Sequence, residues 1–320
     1  MVLETSESPL LIAIVGPTAT GKSKLAIEVA KRFNGEVVSC DSTAVYKGFD
    51  IGTDKLSISE RQGVPHHLID VIDGACSYSA AQYARDATAA INAITERGRL
   101  PIVAGGSGLY YRALTRGLFD GPGRDEQIRT RLVRIATKRG IEYLHRLIER
   151  VDPVSARRIH QRDEKRLIRA LEVYYLTGRP LTEHFSSTRS PIESYAVITL
   201  GLHLPLEEIS RRVRDRVNEQ FQRGIIDEIK SLLNDGLPRD AHPFGGLVYR
   251  QVLEHLDGVR DESATRELIA QENRRYARRQ LIWFRKEPNL HWINVAGEHP
   301  DALQQAVTVL QARLCRTVIV

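Results

Sequence analysis

The stretch LLIAIVGPTATGKSKLAIEVAKRF, residues 10–33, constrains this chain more than any other. A short apolar run enters Gly16-Pro17-Thr18-Ala19-Thr20-Gly21-Lys22-Ser23, which fits G-x-x-x-x-G-K-[ST], and a segment of helical spacing leaves it. Glycines let backbone N–H groups turn inward, and the following helix adds the positive end of its dipole. Such a loop cradles a chain of phosphates. Lys22 brings a charge to the terminal phosphates, and the Ser23 hydroxyl can hold Mg²⁺. The loop alone does not say which phosphorylated molecule it holds.

Its surroundings predict an α/β protein with a P-loop NTPase-like core and a parallel sheet. Short apolar runs at 10–15, 36–41, 67–73 and 100–106 are bounded by Gly, Pro or Asp, as buried parallel strands are. Helical patterns lie between them at Lys22–Phe33 and about Ser79–Arg97, the latter opening on a Ser79/Gln82 capping spacing. Alternation of this kind implies right-handed crossovers. Residues 117–189 hold no convincing strand. Helical spacing at 126–139, 141–150, 153–160 and 163–177 predicts a mostly helical insertion. YAVITLGLHL (195–204) fits a strand that rejoins the sheet. Helices follow at Leu206–Gln222, Ile225–Asn234, Gly246–Leu256 and about Ala264–Lys286, and NLHWINV fits a last strand. The expected domains are therefore a core of 1–116 and 190–320 and an insertion of 117–189.

Charge is unevenly placed. The insertion carries 16 Lys+Arg against 10 Asp+Glu, so it holds the whole formal excess of +6. Concentrated positive charge suits a polyanion, because neutralising phosphates releases counterions. No run approaches the roughly 18 apolar residues of a membrane span. The first residues lack a basic segment before an apolar one, so a cytoplasmic chain without a signal peptide is expected. Cys40, Cys76 and Cys315 are scattered and read as free thiols.

Three further stretches bear on chemistry. VVSCDSTAVYKGFDIGTDK (37–55) begins at a strand end that faces the ligand crevice of an open sheet. Asp41 would sit at the mouth of the P-loop, able to bind Mg²⁺ through water or to take a proton. AGGSGLYYRAL (104–114) again runs a strand into glycines, bringing the Ser107 hydroxyl to the same crevice. HLIDVID (67–73) offers Asp70 or Asp73 as a weak Walker B carboxylate; in PHHLID (65–70) the adjacent His66 and His67 point to opposite sides of a strand and read as structural. The basic material forms two helices. Arg162, Arg166 and Arg169 recur at helical spacing, as do Arg274, Arg278 and Arg285, the latter opposite Ala277, Leu281 and Phe284. Arginine among aromatic residues suits phosphate contact and base stacking.

GPTATGKS, SCDSTAVYKGFDIGTDK, PHHLID, AGGSGLYYRAL, DEKRLIRALEVYYLTGRP and RRQLIWFR occur in this order. With them the chain closely resembles the tRNA dimethylallyltransferase (isopentenyl-tRNA transferase) family over about residues 10–293. The resemblance implies that the P-loop holds the diphosphate of dimethylallyl diphosphate. It further implies that the dimethylallyl group passes to N6 of the adenine beside the tRNA anticodon. Asp41, Lys22 and Ser107 become the expected catalytic residues, with Asp41 as general base and Mg²⁺, held by Ser23, as cofactor. It places tRNA against Asp41, Ser42, Thr43, Ala44 and Ser107, against Arg129 and Asp163, Glu164, Lys165, Arg166 and Leu167, and against Gly246, Tyr249 and Arg250. The family usually has glycine where this chain has Val248, and Ser107 replaces a more frequent threonine.

Other functions share parts of this pattern. A small-metabolite kinase would use the same core and Mg²⁺, but has little use for about 70 residues of basic helices. A prenyltransferase of free adenine nucleotides would share the P-loop half, and an RNA-binding ATPase needs a better Walker B signal. The expected partners are tRNA and dimethylallyl diphosphate, with no membrane and a monomeric chain.

Overall fold

The computed structural model describes residues 8–119, 121–186 and 188–317; for Ser186 and 313–317 it describes the backbone alone. Cys315's side chain therefore lies outside the described residues.

The chain divides into two compact units. The first comprises Met1–Leu114 with Ile192–Val320, and the second comprises Thr115–Pro191. The first is built on β1 (Leu10–Val15), β2 (Gly35–Ser39), β3 (His66–His67), β4 (Leu100–Gly105), β5 (Ala196–Leu202) and β6 (Leu290–Ile293). They form one sheet in the order β3-β2-β4-β1-β5-β6, every neighbouring pair parallel. β1 is central, with Ile12 opposite Ile102 of β4 and Ile198 of β5.

A strand apolar on both sides must be covered on both sides. Leu11, Ala13 and Val15 point into one core and Ile12 and Ile14 into the other. The second core is closed by α1 (Lys22–Phe33), through Leu25 and Val29, and by α13 (Pro300–Thr317), through Ala302, Ala306 and Leu310. The first core takes Tyr83 and Ile91 of α2 (Ala80–Glu96) and Tyr110 of α3 (Gly108–Arg116). It also takes Val213 and Val217 of α9 (Leu206–Gln222), Ile229 of α10 (Ile225–Asn234), Val252 of α11 (Tyr249–Leu256) and Ala277 and Phe284 of α12 (Glu262–Phe284). Ser79 caps α2 by accepting the Gln82 N–H at 3.1 Å.

The expected strand over 67–73 is corrected. Only His66 and His67 pair with β2, and Ile72 makes an isolated bridge with Tyr46. Leu68 (φ 60°) and Asp70 (φ 56°) lie in the left-handed region, which breaks the pleat. Their conformation is fixed from outside: Asp70 N–H donates to the Ala44 carbonyl, and its carboxylate takes Lys55 Nζ at 2.5 Å. His67 bonds Glu36 at 2.6 Å, and His66 Nδ1 lies 2.8 Å from the Val64 carbonyl.

The second unit holds α4 (Glu126–Arg139), α5 (Ile141–Val151), α6 (Pro153–Arg158), α7 (Glu164–Thr177) and α8 (Leu181–Ser186), with no strand among its described residues. It has its own core of Leu132, Ala136, Leu144, Ile148, Leu167 and Leu171. At its centre sits Glu172, fully buried. Glu172 accepts the Asp125 N–H at 2.8 Å, Arg129 Nε at 2.8 Å and Nη2 at 3.0 Å, and Arg169 Nη1 at 2.7 Å. Burial alone would raise this carboxyl; the hydrogen bonds from Arg129 and Arg169 outweigh it and hold the group at about 2.

Because the folded value is depressed, the carboxylate's contribution is complete above the ordinary glutamate range and is lost as pH falls from about 4.5 toward about 2. Glu172→Ala leaves two partly buried guanidinium groups short of a partner and should cost up to roughly 3 kcal/mol, below the range for fully buried pairs. Urea melts followed by hydrogen exchange should show amides of 126–177 losing protection before those of β1 and β4.

Candidate functional site

In a parallel sheet all strands end on one side. The chain runs from β1 out to β2 and β3 on one flank and later to β5 and β6 on the other, so a crevice opens at the C-terminal end of β1. The P-loop fills its floor. Gly16 (φ 141°) lies so close to β5 that a Cβ there would be 2.6 Å from the Leu202 carbonyl. Ala19 (φ 63°) and Gly21 (φ 84°) complete the inward turn. Thr20, fully buried, donates to the Pro17 carbonyl at 2.9 Å, and Lys22 Nζ donates to the same oxygen at 2.6 Å. Burial and the Arg216 guanidinium push the Lys22 ammonium down to about 7, against the pull of Asp41.

Distant segments hold the loop in place. Gln280 of α12 accepts the Thr18 N–H at 2.8 Å and donates to the Gly106 carbonyl at 2.8 Å. Arg216 of α9 donates to Thr18 Oγ1 at 2.8 Å. Behind the loop, Gly297 N–H donates to the Thr20 carbonyl at 2.9 Å, and a Cβ on Gly297 would lie 2.1 Å from the Gly21 carbonyl.

Asp41 follows β2. Its Oδ1 accepts the Thr43 N–H at 2.8 Å, the Thr43 hydroxyl at 2.7 Å and the Ala44 N–H at 3.4 Å. Oδ2 carries no hydrogen bond among the described residues. Ser107, buried beyond β4, accepts the Ser42 N–H at 3.0 Å and lies 3.3 Å from the Ser42 hydroxyl. Cys40 N–H donates to the Ala104 carbonyl, and Ser107 N–H donates to the Cys40 carbonyl. The Cys40 thiol is fully buried, and burial pushes it up to about 12.

Two cavities meet here, both within the first unit. The larger, about 620 Å³, is lined by the P-loop with Lys22 and Ser23, by Asp41 and Gly106, and by Arg212, Arg216, Arg223, Tyr276, Gln280 and Glu298. The smaller, about 300 Å³, is lined by Asp41, Ser42, Thr43, Gly246, Val248, Asn273, Tyr276 and Arg279. Thr18, Asp41, Thr53, Asp54, Arg216 and Tyr276 belong to both walls. Asp41 thus stands between a phosphate cradle and a second chamber. The larger cavity also brings the exposed Ser23 beside Lys22. Among the described residues no group of three His, Cys, Asp or Glu side chains is arranged to hold a metal. One hydroxyl, water and substrate oxygens form a hard donor set of the kind that suits Mg²⁺.

The residues expected against RNA divide. Ser42, Thr43 and Gly246 line the smaller chamber, and Ala44 lines the larger. Lys165 and Arg166 are exposed. Asp163 caps α7, accepting the Arg166 N–H at 3.3 Å, and Glu164 follows as its first residue, partly buried. Arg250 is exposed and pairs with Glu272 at 2.7 Å. Leu167 and Tyr249 are corrections: both side chains are buried. Leu167 fills the helical core, while Tyr249 donates to Glu228 at 2.7 Å and accepts the Gly52 N–H at 3.1 Å. Arg129 is committed to Glu172, as is Arg169, which also donates to the Pro122 carbonyl at 2.8 Å. Val248 takes φ 74°, ψ −61°, a conformation rare for a β-branched residue, so α11 starts at Tyr249 and not at 246.

Comparison with known proteins decides the family. The IPP transferase family model matches residues 44–287. The chain belongs to the IPP transferase family. A tRNA dimethylallyltransferase of Solibacter usitatus is 45% identical over 300 residues, 93% of this chain and 96% of that protein. One from Geobacter metallireducens is 42% identical over 94% of this chain and 97% of its own length. Among solved structures, the full-length tRNA isopentenylpyrophosphate transferase of Bacillus halodurans matches with TM-score 0.72, 37% identity and 98% of each chain covered. A eukaryotic dimethylallyltransferase acting on tRNA matches with TM-score 0.81 and 26% identity, over 97% of this chain and 80% of that one. The core has the P-loop NTPase-like fold these IPP transferases share.

The sequence motifs assigned no role to Arg216 or Tyr276, nor to Gln280, although Gln280 lies within RRQLIWFR. The signal was present as spacing: Arg212, Arg216, Glu219 and Arg223 recur at i, i+4, i+7 and i+11 on α9, a polar stripe aimed at the larger cavity. On α12 the neighbouring stripe faces the cavities, Asn273 lining the smaller, Gln280 the larger and Tyr276 both.

Gly297→Ala should force the 296–299 segment off the P-loop and weaken binding of inorganic diphosphate with Mg²⁺ by about tenfold or more, by loss of preorganised amides. Calorimetry measures it, with tRNA binding expected to stay unchanged.

Proposed function

We propose that this chain transfers the dimethylallyl group of dimethylallyl diphosphate to the exocyclic N6 of the adenine beside the anticodon of tRNA, at position 37. The observation that carries this is the pair of cavities with Asp41 on their common wall. The P-loop cavity suits a diphosphate, and the smaller chamber suits a base lifted out of its stack.

The chemistry follows from the residues. Scission of the allylic C–O bond leaves cationic character on carbon and charge on the departing diphosphate. Lys22, Arg216 and the P-loop amides face that charge. Asp41, reaching both chambers, takes the proton from N6 as the C–N bond forms. Its Oδ1 is held by Thr43 and Ala44. Ser107 acts by pinning Ser42, so the base keeps its distance from the reacting carbon. An exocyclic amine is a poor nucleophile, so this positioning carries much of the rate. Mg²⁺, held by Ser23, would neutralise diphosphate charge when bound.

The second unit supports an RNA substrate over a free nucleotide. Its net positive charge is displayed on Arg162 and Arg166, whose side chains are 75% and 72% exposed. Their contacts with Glu142 and Asp163, at 3.8 and 3.5 Å, are surface pairs that RNA phosphates can displace. Both chambers come from one chain, which favours a monomer, and no described helix is long and apolar enough to cross a membrane. A tRNA substrate supports a cytoplasmic location.

The deciding experiment mixes purified protein and Mg²⁺ with labelled dimethylallyl diphosphate and either unmodified tRNA or AMP. Label in tRNA and not in AMP is expected; label in AMP alone would shift the acceptor to free nucleotides. Asp41→Asn should keep tRNA and donor binding and reduce turnover by roughly 10²–10⁴-fold, since it removes the base and keeps its shape. Single-turnover kinetics with wild-type-like tRNA affinity would show it. Arg166→Ala should flatten the dependence of log K on log salt by about one unit at most. Arg169→Ala should instead destabilise the second unit, which a melting curve separates from a binding effect.

A further inference from the structure

Asp54, near the end of the stretch KGFDIGTDK (47–55), has no role in the chemistry above, yet it lines both chambers. It sits in the left-handed region at φ 51°, a conformation that favours glycine but that aspartate tolerates better than most side chains. Its carboxylate faces α9. Oδ2 forms an ion pair with Arg216, 3.0 Å from its Nε, and accepts from Gln220 Nε2 at 3.1 Å, while Oδ1 lies 3.8 Å from Arg223. Gln220 is itself buried and also donates to the Gly52 carbonyl at 3.3 Å, so the loop and the helix are tied at two points. On its other side Arg216 reaches Thr18 through Nη1. A guanidinium gripped at Nε by one partner and at Nη1 by another has one orientation left.

We propose that Asp54 is a positioning residue for the donor diphosphate: it holds Arg216 in the plane from which the guanidinium meets the leaving group at the P-loop. This rests on the larger cavity being the donor site. Asp54 acts through Arg216, and through the same loop it joins that arginine to the segment that carries Asp41. Without it Arg216 keeps its charge but regains its side-chain freedom, which must then be lost on binding. The expected signature is weaker diphosphate binding that disappears when Arg216 is already gone.

The test is a double-mutant cycle with inorganic diphosphate and Mg²⁺ as the probe, read by calorimetry on the full chain. Wild type should bind diphosphate. Asp54→Ala should bind it about tenfold or more weakly, as expected for losing a charge-assisted contact, while tRNA affinity stays within about twofold. Asp54→Asn, which can still accept from Nε, should restore most of the loss. Arg216→Ala and the Asp54→Ala/Arg216→Ala double variant should differ by less than about twofold, since coupled residues are not additive. If Asp54→Ala does not fold, the same cycle run with Asp54→Ser decides: it removes the carboxylate and keeps a small polar side chain, and the loss it shows must vanish in the Arg216→Ala background. Multiplicative losses, or an Asp54→Ala affinity equal to wild type, overturn the positioning role and leave the donor site standing. Failure of wild type to bind diphosphate overturns the donor site and this proposal with it.

Discussion

The site depends on how closely the ends of β2 and β4 approach. Cys40 N–H bonds the Ala104 carbonyl and Ser107 N–H bonds the Cys40 carbonyl, so the two chains stay zipped past the last strand residues. The approach leaves no space for a side chain at Gly105, where a Cβ would sit 2.0 Å from the Cys40 carbonyl. Asp41, one residue beyond, is placed by backbone geometry before any side chain acts. Ser107, two residues beyond Gly105, is placed by the same contact. A single ladder extension therefore sets the distance between the base and the group that steadies its loop.

Around that fixed point the protein recruits support from far along the chain. Gln280 joins the P-loop to the β4 turn, Arg216 reaches Thr18, and Gly297 backs Thr20. Each lies well beyond the P-loop in sequence, and each bonds main chain or a short hydroxyl there. The loop's amides are thus oriented before a ligand arrives. Preorganisation of this kind lets electrostatic stabilisation act without further rearrangement.

Much of this was legible in the sequence where local physics decides the outcome. α1 runs from Lys22 to Phe33 because its apolar stripe starts after Gly21 and stops at Asn34 in the left-handed region. Ser79 caps α2, and α4 spans 126–139, as their spacing predicts. The sequence misled where tertiary contacts override local pattern. HLIDVID has strand-like composition, but Lys55 draws Asp70 out of line. Tyr249 and Leu167 belong to motif stretches yet serve the core. Arg129 and Arg169 count as positive charge but are spent inside the second unit on Glu172. No property of one segment reveals that Arg216 meets Thr18, since the two are 198 residues apart. The capping of α11 by Val248 at positive φ was equally hidden, because local preference argues against it.

The state of Cys40 bears on how an enzyme survives its own substrate. An allylic diphosphate is an alkylating agent, and a thiolate is a far better nucleophile than an adenine amine. The residue next to Asp41, the proposed base, is a cysteine. Held fully buried and with its thiol raised to about 12, it stays protonated and silent at neutral pH. The zipped strand ends that place Asp41 also bury the Cys40 sulfur, which lines neither cavity.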